Sequence, residues 1–206
     1  MARVLALLIL LILQGVLIVL LVNAAWVERQ CAGEQARIEA YLGSVRQDHI
    51  RQRALGIYRG WFVESGAVTR SYERLLPDRT KAQYGMEGLA PWFFVWLERR
   101  LDAFWWLVFQ AIYRAQVIGE WLPYIGLLAA VSSADGMLQR QVRRASAGYA
   151  SADRYTLARR ALMILGFLPF VYLSLPLSIH PMAIPIWGVL LSIALAVFAA
   201  NAQHEV

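Results

Sequence analysis

Residues 161–200, ALMILGFLPFVYLSLPLSIHPMAIPIWGVLLSIALAVFAA, hold no Asp, Glu, Lys or Arg in forty positions. A run of that length exceeds what the core of a small soluble domain can absorb, so it belongs in lipid. The Pro-rich centre, Pro176 to Pro185, divides it into two stretches of about 20 residues, the length that crosses ~30 Å of hydrocarbon at 1.5 Å per residue. The sequence therefore predicts a transmembrane hairpin, which sets aside soluble enzymes and soluble nucleic-acid modules.

Composition agrees: 59% of residues are hydrophobic and 17% charged, against about 25% charged in a soluble chain. The net charge of +6 comes from nineteen Arg and the single Lys81. These cations lie mostly outside the apolar runs, where they act on topology, so direct nucleic-acid binding is not expected. The one cysteine, Cys31, allows no intramolecular disulfide and no Cys-rich zinc site. It is expected as a small apolar side chain at a helix contact, with an intermolecular disulfide tethering two copies as the alternative.

At the N-terminus, Val4–Val22 is apolar except for Gln14 and Gly15. It is longer than a signal-peptide core, and residues 1–25 read as a retained anchor, although Ala24 and Ala25 offer a cleavage-like pattern. Residues 26–90 form an extramembrane helical region, with Ile38, Leu42, Val45 and His49 at spacings of 4, 3 and 4. Gly60, Leu76-Pro77, Gly85, Gly88 and Pro91 punctuate it.

Residues 91–114, aromatic but carrying Glu98, Arg99, Arg100, Asp102 and Arg114, are expected to lie at the interface as an amphipathic helix. A mid-bilayer charge costs about 2.5–3.5 kcal/mol, so the next span is placed near 115–135, around the charge-free window Trp121–Ala134. With the hairpin, this makes residues 115–203 a three-helix transmembrane region. The expected fold is all-α: a polytopic membrane protein of about four transmembrane helices. A fifth span through 92–113 is the competing arrangement.

The connection 136–160 carries Arg140, Arg143, Arg144, Arg154, Arg159 and Arg160, which places it in the cytoplasm as an Arg-rich loop. Four spans then put both termini in the cytoplasm and residues about 26–100 in the periplasm, in a bacterial inner membrane. Those six arginines are candidate contacts for a protein partner or for anionic lipid headgroups.

The search for chemistry finds little. His49, His180 and His204 are dispersed, and no zinc, phosphate-loop or nucleophile motif is present. His49 with Asp48 and Glu64 is the nearest acid–base grouping. No catalytic residue, cofactor or metal site is expected, and the chain reads as non-enzymatic. Arg114 and Glu120 are candidate intramembrane polar contacts. Six residues apart, they point about 240° away from each other on a helix, so each needs a partner elsewhere. A homo-oligomeric channel or small transporter lined by Glu120 is the alternative function.

The run Tyr113–Tyr124, YRAQVIGEWLPY, and the loop Arg143–Ser151, RRASAGYAS, with the later LPFVYLSLPLSIHP and ANAQ, resemble the integrating conjugative element membrane protein family. The similarity covers roughly residues 90–203. It implies an inner-membrane subunit or adaptor of conjugative DNA transfer, beside a type IV secretion machine and a coupling ATPase. It transfers no catalytic residue to this chain.

Overall fold

A computed structural model describes residues 23–76, 91–146 and 151–202. The described residues are helical, with no strand among them: α1 Ala24–Leu42, α2 Ser44–Tyr58, a π-helical turn Arg59–Val63, α3 Ala67–Leu75, α4 Pro91–Ala145, α5 Ala152–Ser174 and α6 Ala183–Asn201. The expected anchor, Val4–Val22, lies outside the described residues.

Three of these helices, α4, α5 and α6, are long and apolar enough to cross a membrane. The chain is thus an all-helical protein with three candidate spans among its described residues. At 1.5 Å per residue α5 and α6 measure about 34 and 28 Å, close to the hydrocarbon thickness, whereas α4 measures about 82 Å and must extend well beyond it.

Two departures from the sequence reading concern α4. Residues 91–114 and 115–135 were expected as separate elements, yet one helix runs through both without a boundary at 114. Pro123 sits inside it, as membrane helices tolerate when neighbouring groups compensate the freed carbonyl. The expected Arg-rich loop 136–160 is also mostly helix: α4 continues to Ala145 and α5 begins at Ala152. Arg140, Arg143 and Arg144 therefore ride the last turns of α4, while Arg154, Arg159 and Arg160 ride the first turns of α5.

The chain divides into two compact units. The first comprises residues 1–116 with 173–179; the second comprises 117–172 with 180–206. The described parts of 26–90 and 91–114, separated in the sequence reading, thus share one unit.

Within the first unit, Asn23 caps α1 by accepting a hydrogen bond from the Ala25 N–H at 3.2 Å. The helix stops at Gly43, whose φ of +86° suits a residue without Cβ. That break resets the helical phase. Val27, Cys31, Glu34 and Ile38 form the buried face of α1, and Gln47, Ile50 and Ala54 that of α2. The spacing through Ile38, Leu42, Val45 and His49 marks helix, as found, but not a buried face: Val45 is 85% exposed and His49 is exposed too. Leu76, before Pro77, is extended, as pre-proline residues prefer, and α3 ends there.

The aromatic stretch of α4 packs inward over part of its length. Trp105 and Phe109 are buried, meeting Tyr58 with ring centroids 6.3 and 5.8 Å apart. Phe62 adds a 5.7 Å contact to Trp105. Tyr72 donates to Asp102 Oδ1 at 2.5 Å, and Trp105 Nε1 donates to Ser71 Oγ at 3.1 Å. The helix stretch 91–114 therefore does not present a whole aromatic face outward; Trp92, Phe93 and Phe104 stay exposed.

The second unit carries its apolar surface outward. Leu127, Val131, Ile164, Phe170, Ile186 and Ile193 are all exposed, the pattern of helices whose solvent is lipid. Inside, helices approach at small residues. A Cβ on Gly136 would collide with the backbone carbonyl of Ala196, and one on Gly188 would meet Ile125 Cγ1 at 2.6 Å. Close approach at small residues is the usual source of helix affinity in a bilayer. Polar groups are paired locally: Trp187 Nε1 donates to the Leu165 carbonyl and Ser192 Oγ to that of Gly188, both at 2.8 Å.

Candidate functional site: a buried ion pair and an arginine-rich helix end

Glu34 lies on the apolar face of α1 because Val27, Cys31, Glu34 and Ile38 recur at helical spacing. Arg114 lies on the buried face of α4, one position beyond Tyr113 and four beyond Gln110. Their side chains meet in the first unit. Arg114 Nε donates to Glu34 Oε1 at 2.9 Å, and Nη2 donates to Oε2 at 2.7 Å. Gln110 Nε2 adds a third donor to Oε2 at 3.0 Å. The Arg114 guanidinium also donates to the carbonyls of Leu175 and Leu177. Both charged side chains are almost fully buried, at 0% and 1% exposure.

This arrangement ties α1, α4 and the Pro-rich segment after α5 together. A guanidinium has a planar fork of donors suited to two-point binding of a carboxylate. Its remaining directions meet two carbonyls that Pro176 helps free from helical pairing, since the helix ends before the proline. Two further bonds fix the same segment: Arg37 Nη1 donates to the Ser178 carbonyl and the Ser178 N–H to Gln30 Oε1, both at 3.1 Å.

Beside the ion pair, burial pushes the Cys31 thiol up to about 12, and the negative Glu34 adds to the rise while Arg114 opposes it. Cys31 is buried and makes no disulfide. Tyr72 is likewise pushed well above the ordinary tyrosine range by burial and by its bond to Asp102. A cleft of about 590 Å³ opens between Cys31, Arg51, Tyr58, Tyr72, Trp105 and Phe109.

Arg114 belongs to the first unit and is wholly buried; Glu120 belongs to the second and is half-buried. Glu34 was missed in the sequence, although its place in the Val27, Cys31, Ile38 spacing carried the signal. Gln47 and Gln110, also buried, were missed for the same reason.

The six arginines fall at one end of the second unit. Arg144, Arg154, Arg159 and Arg160 are exposed, while Arg140 and Arg143 are half-buried. Arg143 Nη1 donates to Asn201 Oδ1 at 3.1 Å, and the same oxygen accepts the Ser151 N–H at 3.3 Å. Asn201, another residue missed in the sequence, thereby joins the ends of α4 and α6 to the start of α5.

His49 Nδ1 accepts from Arg53 at 2.8 Å on an exposed helix face, and no acid–base grouping with Asp48 or Glu64 is formed by that bond. His180 is exposed and its Nδ1 accepts the Met182 N–H at 3.2 Å, at the entry to α6. No group of three or more His, Cys, Asp or Glu placed to hold a metal exists among the described residues.

No curated protein and no solved structure matches this chain. A family model does, over residues 21–203: that of the IncC plasmid conjugative DNA transfer protein DtrJ-like proteins. That match covers nearly all of the sequence, and by it the chain belongs to the DtrJ-like family of conjugative DNA transfer proteins.

Proposed function

We propose that this chain is a non-enzymatic subunit or adaptor of a conjugative transfer apparatus, held in the bacterial inner membrane beside a type IV secretion machine and its coupling ATPase. The observation that carries the reading is the family membership over residues 21–203. The resemblance to proteins of integrating conjugative elements extends it to that class of mobile element.

The geometry supports a scaffolding role. Arg114 and Glu34, both buried in the first unit, are bound to each other, and Arg114 also to two backbone carbonyls. Such a cluster holds elements in place, as a scaffolding role requires.

It also supports the proposed topology. Glu34, Arg114 and the segment 175–177 converge in one unit, which agrees with their lying on one side of the bilayer. A four-span arrangement puts residues 26–100 and the hairpin tip together in the periplasm, and the arginines of α4 and α5 in the cytoplasm. A fifth span through 92–113 fits poorly with Ser71 and Tyr72 bonded along that stretch.

The test is crosslinking and mass spectrometry on the tagged chain purified in mild detergent from cells carrying the whole element. Links from the two arginine-bearing helix ends or from residues 23–76 to secretion-channel or coupling subunits support the adaptor. Self-links alone, together with ion flux abolished by Glu120→Gln, support the homo-oligomeric pore instead.

A further inference from the structure

Where the arginines gather in the second unit, α4, α5 and α6 enclose a cleft of about 570 Å³, within the range of small-ligand sites. Its lining changes character along its length. Val131 on α4 and Ile193 and Val197 on α6 form an apolar wall, and Arg143, Arg154 and Asn201 form the polar end. From Val131 to Arg143 the helix rises about 18 Å. An apolar trough leading to fixed cations has the polarity profile of a phospholipid, with acyl chain and phosphate in that order.

The two arginines differ in how they are held. Arg143 is fixed by its bond to the buried Asn201, leaving further guanidinium N–H groups to donate. Arg154 is exposed, and among the described residues its guanidinium has no hydrogen-bond or ion-pair partner. Asp135 is the carboxylate in the lining, and it accepts from Gln139 at 2.8 Å. Cations exceed anions in the cleft, and Arg140 and Arg144 flank it on α4.

We propose that this cleft binds one anionic phospholipid, its phosphate against Arg143 and Arg154 and its acyl chain along Val131, Ile193 and Val197. This goes beyond general attraction of a basic surface to acidic membranes, because it assigns two arginines out of six and one trough. It rests on the reading that the second unit crosses a membrane, and is independent of the role in DNA transfer.

The full-length protein, purified in mild detergent, is incubated with phosphatidylglycerol, phosphatidylcholine or inorganic phosphate and examined by native mass spectrometry. One phosphatidylglycerol per chain is expected to be retained over phosphatidylcholine. Arg154→Gln is expected to weaken retention about tenfold, the size of one lost charge-assisted contact, and Arg154→Glu further. Arg159→Gln, outside the cleft, leaves it unchanged. Equal retention of phosphatidylcholine, or equal loss in Arg154→Gln and Arg159→Gln, overturns the site. Displacement of the lipid by equimolar inorganic phosphate overturns the lipid as its occupant. Flotation of the wild-type protein with vesicles separates the two readings. Failure to float refutes the membrane placement and the site with it, whereas flotation without lipid preference refutes the site alone.

Discussion

Arg114 Nη2 lies 2.7 Å from Glu34 Oε2, although eighty positions separate the two residues in the chain and neither side chain is more than 1% exposed. Removing one partner of such a pair strands a buried charge, at a cost of about 3–5 kcal/mol. Arg114→Met alone and Glu34→Leu alone are each expected to lower thermal stability in detergent by that order. The double variant Arg114→Met with Glu34→Leu should cost much less than the two single losses combined, since no charge is then left unpaired. Additive losses would show that the two side chains do not depend on each other.

Cys31 is expected to resist alkylation. Its thiol ordinarily ionises near 9.0 but is pushed up to about 12 in the folded protein, and the thiolate is the reactive form. At pH 8.5, iodoacetamide should label the denatured chain readily and the native chain hardly at all. The folded state holds the proton more tightly, so this group's contribution is fully present below about pH 9 and is lost as pH rises from there towards about 12. Rapid native labelling at pH 8.5 would mean that Cys31 is not enclosed.

Gly136 and Gly188 should differ in tolerance. A methyl at Gly136 meets the Ala196 backbone carbonyl and Ala199 Cβ, neither of which can swing aside. A methyl at Gly188 meets the Ile125 side chain, which can move. Gly136→Ala is expected to cost about 1–3 kcal/mol, as overpacking does, and Gly188→Ala less. Thermal unfolding in detergent ranks them; the reverse order would contradict the closeness of α4 and α6 at Gly136.

Asn201→Ala removes the acceptor shared by Arg143 and Ser151 and the donor to the Val197 carbonyl. Loss of buried hydrogen bonds of this kind costs about 1–3 kcal/mol. Protease cleavage near residue 150 should accelerate in the variant, because Ser151 loses its tie to α6. An unchanged cleavage rate would show that Asn201 does not hold the start of α5.

The charge-free forty residues and their Pro-rich centre were enough to expect two helices there: α5 ends at Ser174, just before Pro176, and α6 begins at Ala183, inside that centre, with Pro185 in its first turn. Helicity between residues 24 and 75 was likewise legible from spacing. The buried face was not: the apolar spacing crosses Gly43, where a positive φ rotates everything downstream, and Val45 is exposed. Helix continuity was misjudged for a related reason. The charges near Arg99 and Arg114 disfavour lipid, but they do not end a helix, and α4 runs on through both the aromatic stretch and the arginines.

The site was half legible. A lone Arg114 in an apolar run announced a need for a partner, and α1 supplies one in Glu34. Glu34 could be found only by the joint fold of α1 and α4, because nothing local distinguishes it from Glu28 or Glu39 except its place on the Val27, Cys31, Ile38 face. Asn201 had no local signal at all; its importance comes from where α6 happens to end against Arg143 and Ser151.

The central claim is that this membrane chain serves conjugative transfer as a structural subunit. It is tested most directly by mating frequency from a donor element carrying an in-frame deletion of the chain. The account predicts that transfer falls on deletion, returns with the wild-type chain, and returns only in part with Arg114→Met, whose buried Glu34 is left without its cation. Transfer at the wild-type frequency from the deleted donor would contradict it.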